Sequence, residues 1–207
     1  MTIPEAAAAL HDVWFRDEFD DPQAVGERAK LWFSSNASFD ALLSKRFGDL
    51  PDRALAGELA AWCEQPRSSL ALVLALDQLP RNLFRDTPRA FAYDSAALEA
   101  TRSALVRGVD EDLHPVEACF LYLPLEHAED ADAQAESVVR FRALLTRAPA
   151  GLREQFESFL GFAERHAAVI ERFGRFPHRN RILGRTSTPE EAHYLAEGGE
   201  TFSGDDP

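Results

Sequence analysis

The chain has 207 residues, 45% of them hydrophobic and 28% charged, which is the balance of a globular domain and excludes wholesale disorder. A chain of this length is expected to bury a sizeable core as one domain. Its formal net charge of −13 at pH 7 argues against nonspecific binding to nucleic acid or to an anionic membrane surface.

Prolines, capping residues and glycines divide the first half of the chain into predicted helices. Asp21 is a suitable N-cap for a helix that has Pro22 at its first position. Ser38 is the predicted N-cap of a helix that ends at Gly48. The predicted helices of this half cover residues 4–15, 22–33, 39–47 and 51–64.

The stretch 69–85 is the centre of the predicted fold. Its residues 70–76 are all apolar, and such a segment belongs inside the protein, because a surface helix would carry a polar stripe. Asp77, Gln78 and Arg81 follow this apolar run. A polar cluster is therefore expected where the buried element reaches the surface.

The second half shows helix signals of the same kind. Thr188 and Glu191 form a predicted capping box around Pro189, and Gly174 is a predicted helix end. No stretch alternates apolar and polar residues convincingly with the period of a strand. The predicted helices of this half cover residues 88–107, 115–123, 130–147, 152–173 and 189–197.

These signals predict an all-α fold of about nine or ten helices, in which successive helices form antiparallel pairs. Residues 1–197 are expected to form one all-α domain, and the Gly-rich, acidic segment 198–207 is expected to be a loose tail.

Three further features concern the cellular compartment. Cys63 and Cys119 lie in apolar runs and are expected to be reduced core thiols. No basic residue precedes Arg16, so the charged start of a signal peptide is missing. No apolar run approaches the roughly 20 residues that span a bilayer. A cytoplasmic protein without membrane contact is expected.

Several motifs along the chain resemble those of one bacterial family. The motifs are LDQLPRNLFR at 76–85, YLPL at 122–125, His127 with Glu129 and Asp130, RFGRFPHRN at 172–180, and Gly184 with Arg185. They are similar to the motifs of DUF924, an uncharacterised bacterial family, and the resemblance extends over residues 13–202. That family is classed with tetratricopeptide-like helical folds, so the resemblance implies an array of helix pairs. It implies no established activity.

Three steps in the sequence share one construction, an apolar residue followed by proline and then polar groups. They lie at residues 79–82, 123–127 and 176–180. Because proline disfavours helix at the residue before it, each step is expected to mark a helix end or a kink. One interpretation is structural, with polar donors capping the free carbonyls of helix ends. It applies to Arg81, Asn82, Arg179 and Asn180.

Asp77 is expected to need a cationic partner. It lies near the C-terminal end of a buried helix, where the helix dipole disfavours a negative charge by about 0.3–1 kcal/mol. A buried carboxylate without a partner costs several kcal/mol more. The Arg-rich segment 165–185 is the expected source of the cation. Such a pair can be a core brace or part of a functional site.

The functional interpretation is a pocket for a small anionic ligand that carries a phosphate or a carboxylate, because guanidinium groups bind such anions in a bidentate manner. The predicted catalytic residues are Asp77, His127 and His178. The predicted ligand-binding residues are Gln78, Arg81, Asn82, His166, Arg175 and Arg179.

Hydrolysis is the reaction that this pattern suggests. Asp77 or Glu129 could orient His127 or His178 as a general base. The sequence contains no Gly-x-Ser-x-Gly turn, and neither cysteine is near a basic cluster, so water would have to be the nucleophile.

Two alternatives remain open at this stage. A metal site could be built from His127, Glu129, Asp130, His166 and His178. The spacing of these residues is loose and His-Glu-x-x-His is absent, so no metal and no cofactor are predicted. Alternatively, the chain could be a tetratricopeptide-like interaction module that receives a peptide, with the polar cluster as internal bracing.

Overall fold

The computed structural model of the chain describes residues 2–19 and 21–202. Within these ranges it has eleven α-helical segments and no β-strand, which confirms the all-α prediction. Only Asp77 separates the fifth segment from the sixth, so the predicted number of helices is also confirmed. The segments are α1 Glu5–Phe15, α2 Pro22–Phe33, α3 Ala37–Phe47, α4 Leu50–Leu55, α5 Pro66–Leu76, α6 Gln78–Leu83, α7 Asp94–Val106, α8 Pro115–His127, α9 Ala131–Thr146, α10 Arg153–Phe173 and α11 Pro189–Ala196.

Most helix starts are where the capping residues predict them. The side chain of Asp21 accepts a hydrogen bond from the amide of Gln23 at the start of α2, and Thr188 and Glu191 form the predicted capping box of α11. The start of α3 is an exception. Its cap is Asn36 and not Ser38, because the Asn36 side chain accepts from the amide of Phe39 at 2.9 Å.

Two predicted helices are divided in the structure. The segment predicted over 51–64 consists of α4 and a 3₁₀ turn, Ala60–Glu64, because Gly57 between them has a left-handed backbone with φ of +79°. The helix predicted over 88–107 begins as a 3₁₀ turn, Pro88–Phe91, and α7 starts only at Asp94. Two further 3₁₀ turns cover Val109–Glu111 and Pro177–Arg179.

Helix α5 is the centre of the core, as its apolar run predicts. Every residue from Ser68 to Leu76 is buried, and the helix packs against α1, α4, α7 and α8. Helix α8 is buried nearly as completely, from Val116 to Glu126. In the second half, α7, α8, α9 and α10 pack in chain order, each against the next. The likeness to a tetratricopeptide array stays a prediction.

The predicted tail is only partly described. Residues 203–207 lie outside the described ranges. Residues 198–202 contact the body of the protein: the amide of Glu200 donates to the hydroxyl of Tyr194 at 2.9 Å, and the ring of Phe202 stacks on His166. No helix in the described part of the chain is both long and apolar enough to cross a membrane. Both cysteines are free, Cys119 buried and Cys63 half-buried.

Candidate functional site

The polar residues predicted to act together lie where α5 and α8 end. Asp77 marks the break between α5 and α6. Pro80 explains this break, since it has no amide to donate to the carbonyl of Leu76 and its ring crowds that carbonyl. His127 is the last residue of α8. The ends of these two buried helices therefore bring Asp77 and His127 together.

Helix α8 does not end at the predicted step after Leu123. It continues through Pro124 to His127, because a single proline removes only one helical hydrogen bond and the last turn is held from outside. The side-chain amide of Gln134 donates to the carbonyls of Glu126 and Ala128 at 2.6 and 2.8 Å. This clamp fixes the turn that carries His127.

Asp77 is fully buried and ionised. Its Oδ1 lies 2.7 Å from His127 Nδ1 and 3.4 Å from Arg81 Nη1, and its Oδ2 accepts from Gln78 Nε2 at 2.7 Å. Burial disfavours the carboxylate, but the Arg81 cation and the hydrogen bonds from His127 and Gln78 outweigh burial and hold the pKa of Asp77 below its usual range. The prediction that the cation comes from segment 165–185 is wrong, since Arg81 lies one helical turn after Asp77.

A second carboxylate, Asp94, completes the cluster and is missing from the sequence prediction. It accepts two hydrogen bonds from Arg81, at 2.9 and 3.2 Å, and one from Arg179 Nη1 at 3.3 Å. Asp94 is the first residue of α7. Two arginines near one buried carboxylate require a second carboxylate to balance their charge. This charge balance is the signal that could have indicated the presence of Asp94.

Arg179 lies between two aromatic rings. Its guanidinium carbon is 4.8 Å from the ring centre of Phe91 and 4.4 Å from that of Phe176. Nη1 also donates to the backbone carbonyl of His127 at 3.1 Å, while the buried Nε has no hydrogen-bond partner. Burial lowers the pKa of Arg179 to about 10, so the group stays charged at neutral pH.

His127 is neutral at neutral pH. Burial and the nearby Arg81 charge lower its pKa below the ordinary histidine value, although Asp77 acts in the opposite direction. Because Asp77 is ionised, the hydrogen-bond network assigns the single ring proton to Nδ1. Nε2 then carries a lone pair and makes no hydrogen bond to the residues that the structure describes. This is the geometry of a general base.

His166 lies next to His127, and His178 lies near His166, since the rings of both contact Phe202. The ring centres of His127 and His166 are 6.3 Å apart, and His166 Nδ1 donates to the carbonyl of Phe162 at 2.9 Å. Burial lowers the pKa of both residues, that of His178 to about 3, so both are neutral. His178 Nδ1 is buried without a hydrogen-bond partner. The structure thus places all three predicted histidines in one region.

Glu126 is a third acid at the site and was not predicted. It is buried, and its Oε1 lies 3.2 Å from His166 Nδ1. Burial and the charge of Asp77 raise its pKa to about 8, so that Glu126 is mostly protonated at neutral pH.

Two predicted ligand-binding residues make bracing contacts. Asn82 donates to the carbonyl of Gln78 at 2.8 Å and accepts from Arg85 at 2.9 Å. Arg175 makes its contacts outside the cluster, where its guanidinium donates to both carboxylate oxygens of Glu191, at 2.6 and 2.8 Å. The guanidinium group of Arg175 is therefore already paired with the Glu191 carboxylate. The expected joint pocket with Asp77 is not formed by Arg175.

Among the residues that the structure describes, no three donors of the metal alternative have ligand atoms within 4.8 Å of one another. Glu129 forms two bonds with Arg185 and accepts from the amide of Phe176, and Asp130 caps α9. Within residues 2–19 and 21–202, the one group of three metal-type donors with atoms within 4.8 Å of one another is elsewhere. It comprises His11, Asp17 and Glu117, and Arg67 already supplies a cation to both of its carboxylates.

The cluster is nearly closed to solvent. The side chains of His127, Arg81 and Asp94 are 15–20% exposed and form its accessible edge. Depressions of about 410 and 340 Å³ lie elsewhere on the surface, and neither is lined by a cluster residue. The charges of Asp77 and Asp94 balance those of Arg81 and Arg179. What the arrangement offers chemically is a neutral, oriented imidazole and a guanidinium, that of Arg179, which is bonded to the backbone carbonyl of the same histidine and has unused donors.

Comparisons with known proteins point to one group. Residues 10–199 match the sequence model of a family described as bacterial protein of unknown function, DUF924. The chain is also similar to a solved protein of unknown function from Agrobacterium tumefaciens, with 41% identity and a TM-score of 0.77. The match covers 93% of this chain and 97% of the other. No curated protein matches the chain.

Proposed function

The chain belongs to the DUF924 family of bacterial proteins of unknown function, and we propose that it binds a small anionic molecule beside Arg179 and hydrolyses it with His127 as the general base. The observation that carries the proposal is the 2.7 Å contact between Asp77 and His127 Nδ1, which leaves Nε2 open. An ionised aspartate behind a neutral histidine fixes both the tautomer and the orientation of the ring.

Water is the proposed nucleophile. Burial raises the pKa of Cys119 well above its ordinary value, so its thiol stays protonated. Ser68 and Ser69 lie at the opposite end of α5, where they donate to backbone carbonyls. In the proposed step, Nε2 of His127 takes a proton from water, and the water oxygen forms a bond to the electrophilic atom of the ligand. The bond to the leaving group then breaks, and the leaving group takes the proton from His127.

Arg179 is the proposed anion-binding residue. Because the cluster carries no excess positive charge, it does not attract an anion through its field, and recognition has to come from directional donors. Nη1 of Arg179 is 3.1 Å from the backbone carbonyl of His127, so an anion held by the remaining guanidinium donors is bound next to the residue that carries the proposed base. Phosphate and carboxylate both match the planar guanidinium.

The interaction-module hypothesis explains part of the site. It accounts for the bracing contacts of Asn82 and Arg175. It assigns no role to the open Nε2 of His127 or to the unpaired donor of Arg179. These two features favour a small-molecule site.

The test is a thermal-shift screen of phosphorylated metabolites and carboxylates, followed by two matched variants. A ligand at about 100 times its dissociation constant stabilises the native state by about 2.7 kcal/mol. R179K keeps the charge but removes the planar fork, and we expect it to lose this stabilisation. R175K makes the same change outside the cluster, and we expect it to retain the stabilisation. If the ligand raised the thermal stability of R179K and R175K by the same amount, the result would contradict the proposed site.

Chemistry is tested separately from binding. With a ligand from the screen as substrate, H127Q is expected to bind with unchanged affinity and to lose turnover. Equal turnover by H127Q and the wild type would exclude His127 as the base.

A further inference from the structure

The ring of Phe202 occupies an aromatic slot next to the candidate site. It stacks on the imidazole of His166 with ring centres 3.5 Å apart and planes at 19°. The rings of Phe176 and His178 meet it edge-on, at 5.9 and 5.7 Å. Stacking combined with edge-to-face contacts is how proteins hold planar aromatic groups. The slot therefore has the shape of a ring-binding subsite.

The segment that carries Phe202 leads from α11 to the slot. It leaves α11 through Gly198, whose φ is +81°, and Phe202 itself has a φ of +51°, which is uncommon for a bulky residue. The contacts of Glu200 hold the segment, through its amide to the Tyr194 hydroxyl and its carboxylate to Arg165 at 3.0 Å. Phe202 is only half-buried.

The slot and the candidate site are continuous. His166 belongs to both the slot and the site. Phe202 stacks on the ring of His166, and the ring centre of His166 is 6.3 Å from that of His127. Phe176 also belongs to both, because Arg179 lies over its ring at 4.4 Å. A ring in the place of Phe202 can therefore carry a substituent towards Arg179 and His127.

We propose that Phe202 is an internal plug in a subsite for the planar ring of the ligand, and that the ligand is an aromatic carboxylate or an aromatic phosphate which displaces it. This inference rests on the proposed function for the anionic end of the ligand, whereas the slot stands on its own geometry. Phe202 competes with the ligand ring for the face of His166. Its removal consequently exposes that face.

The experiment measures dissociation constants by calorimetry for three compounds, which separate the two ends of the ligand. Benzamide is a neutral ring, inorganic phosphate is an anion without a ring, and phenyl phosphate has both. A plug that closes the slot about nine-tenths of the time raises the apparent dissociation constant about tenfold. We therefore expect F202A to bind benzamide and phenyl phosphate about tenfold more tightly than the wild type does, with phosphate unchanged.

Two controls accompany F202A. F33A removes a partly exposed phenylalanine that packs on Phe120 and Phe159, away from the slot, and is expected to change none of the three constants. The double variant Y194F/E200Q keeps the plug ring but weakens its hold, and is expected to tighten benzamide binding by a smaller factor. This variant also provides the test if F202A does not fold.

The outcomes distinguish the two proposals. Tighter benzamide binding by F202A or by Y194F/E200Q, with no response to phosphate in any variant, supports the slot and contradicts the anion site. Phosphate binding with no gain for benzamide in either variant overturns the plug.

Discussion

At the residue scale, the site contains two buried acids in opposite protonation states. Asp77 is ionised because Arg81 and two hydrogen-bond donors face it, whereas Glu126 is mostly protonated because burial and the charge of Asp77 both disfavour its anion. Acid–base sites depend on such a separation of pKa values. In this cluster the separation means that Glu126 adds no further negative charge to those of Asp77 and Asp94.

Glu126 makes stability depend on pH in a predictable direction. Its pKa rises from 4.5 to about 8 on folding, so the folded state binds more protons between these values and the free energy of unfolding falls as pH increases. The effect is on the order of 5 kcal/mol over the full window. E126Q removes it. We expect the stability of the wild type relative to E126Q, from urea unfolding, to fall steadily from pH 5 to pH 8.

The comparison with E126Q isolates this group. The lowered pKa values of His127, His166 and His178 act in the opposite sense, since their contribution is lost as pH falls below the unfolded histidine value of 6.5. Both proteins keep these histidines, so their contribution largely cancels in the difference. If the free energy of unfolding depended on pH in the same way in the wild type and in E126Q, Glu126 would be ionised in the folded state, and the prediction would be wrong.

Asp77 is expected to stabilise the fold as well as to orient His127. D77N removes the charge that Arg81 and His127 share, and breaking such a buried pair costs about 3–5 kcal/mol. D49N is the matched control, because Asp49 pairs with Arg53 at an exposed position and its loss is expected to leave stability nearly unchanged. Urea unfolding of both variants measures the difference. Equal stabilities would contradict the buried ion cluster.

At the scale of single elements, two glycines are expected to respond to alanine in opposite ways. Gly174 ends α10 with φ of +68°, where a side chain is strained, so G174A should cost about 1–2 kcal/mol. Gly26 lies inside α2 and a methyl group there would meet nothing within 4 Å, so G26A should stabilise by about 0.5–1 kcal/mol. Thermal unfolding measures both effects as shifts in Tm relative to the wild type. A Tm shift of the same sign in G174A and G26A would contradict the different backbone roles given to the two glycines.

The prolines act differently in the two helices that carry the site. At Pro80 the chain breaks and leaves Asp77 at the junction of α5 and α6, whereas α8 continues through Pro124. Proline removes one donor in each case. The difference comes from neighbours, since Gln134 and Arg179 bind the carbonyls at the end of α8.

At the scale of the whole molecule, burial predicts where the fold is most protected. The amides of α5 and α8 are expected to exchange with solvent most slowly, because both helices are buried along nearly their whole length. Amides of the exposed helix α11 are expected to exchange fastest among the helices. Hydrogen-exchange mass spectrometry measures this order. Slower exchange in α10 than in α5 would contradict a core centred on α5.

Three features follow from the order of the amino acids alone: the helical class, the central place of residues 70–76 and most helix starts. These features depend on local interactions, since the contact of Thr188 with Glu191 or of Asp21 with Gln23 spans two or three residues. Two of the clustered histidines, His127 and His178, were predicted from polar groups that follow an apolar residue and proline, and His166 was predicted from the concentration of arginine and histidine in segment 165–185.

The pairing of the polar groups depends on how distant helices pack. Asp77 and His127 are 50 positions apart, and Asp94 and Arg179 are 85 apart. Composition does not say which arginine meets which carboxylate. Arg81 rather than the segment 165–185 serves Asp77, Arg175 is taken by Glu191, and Phe202 reaches His166. Charge balance requires that partners exist, but only the packing of distant helices brings particular side chains within bonding distance.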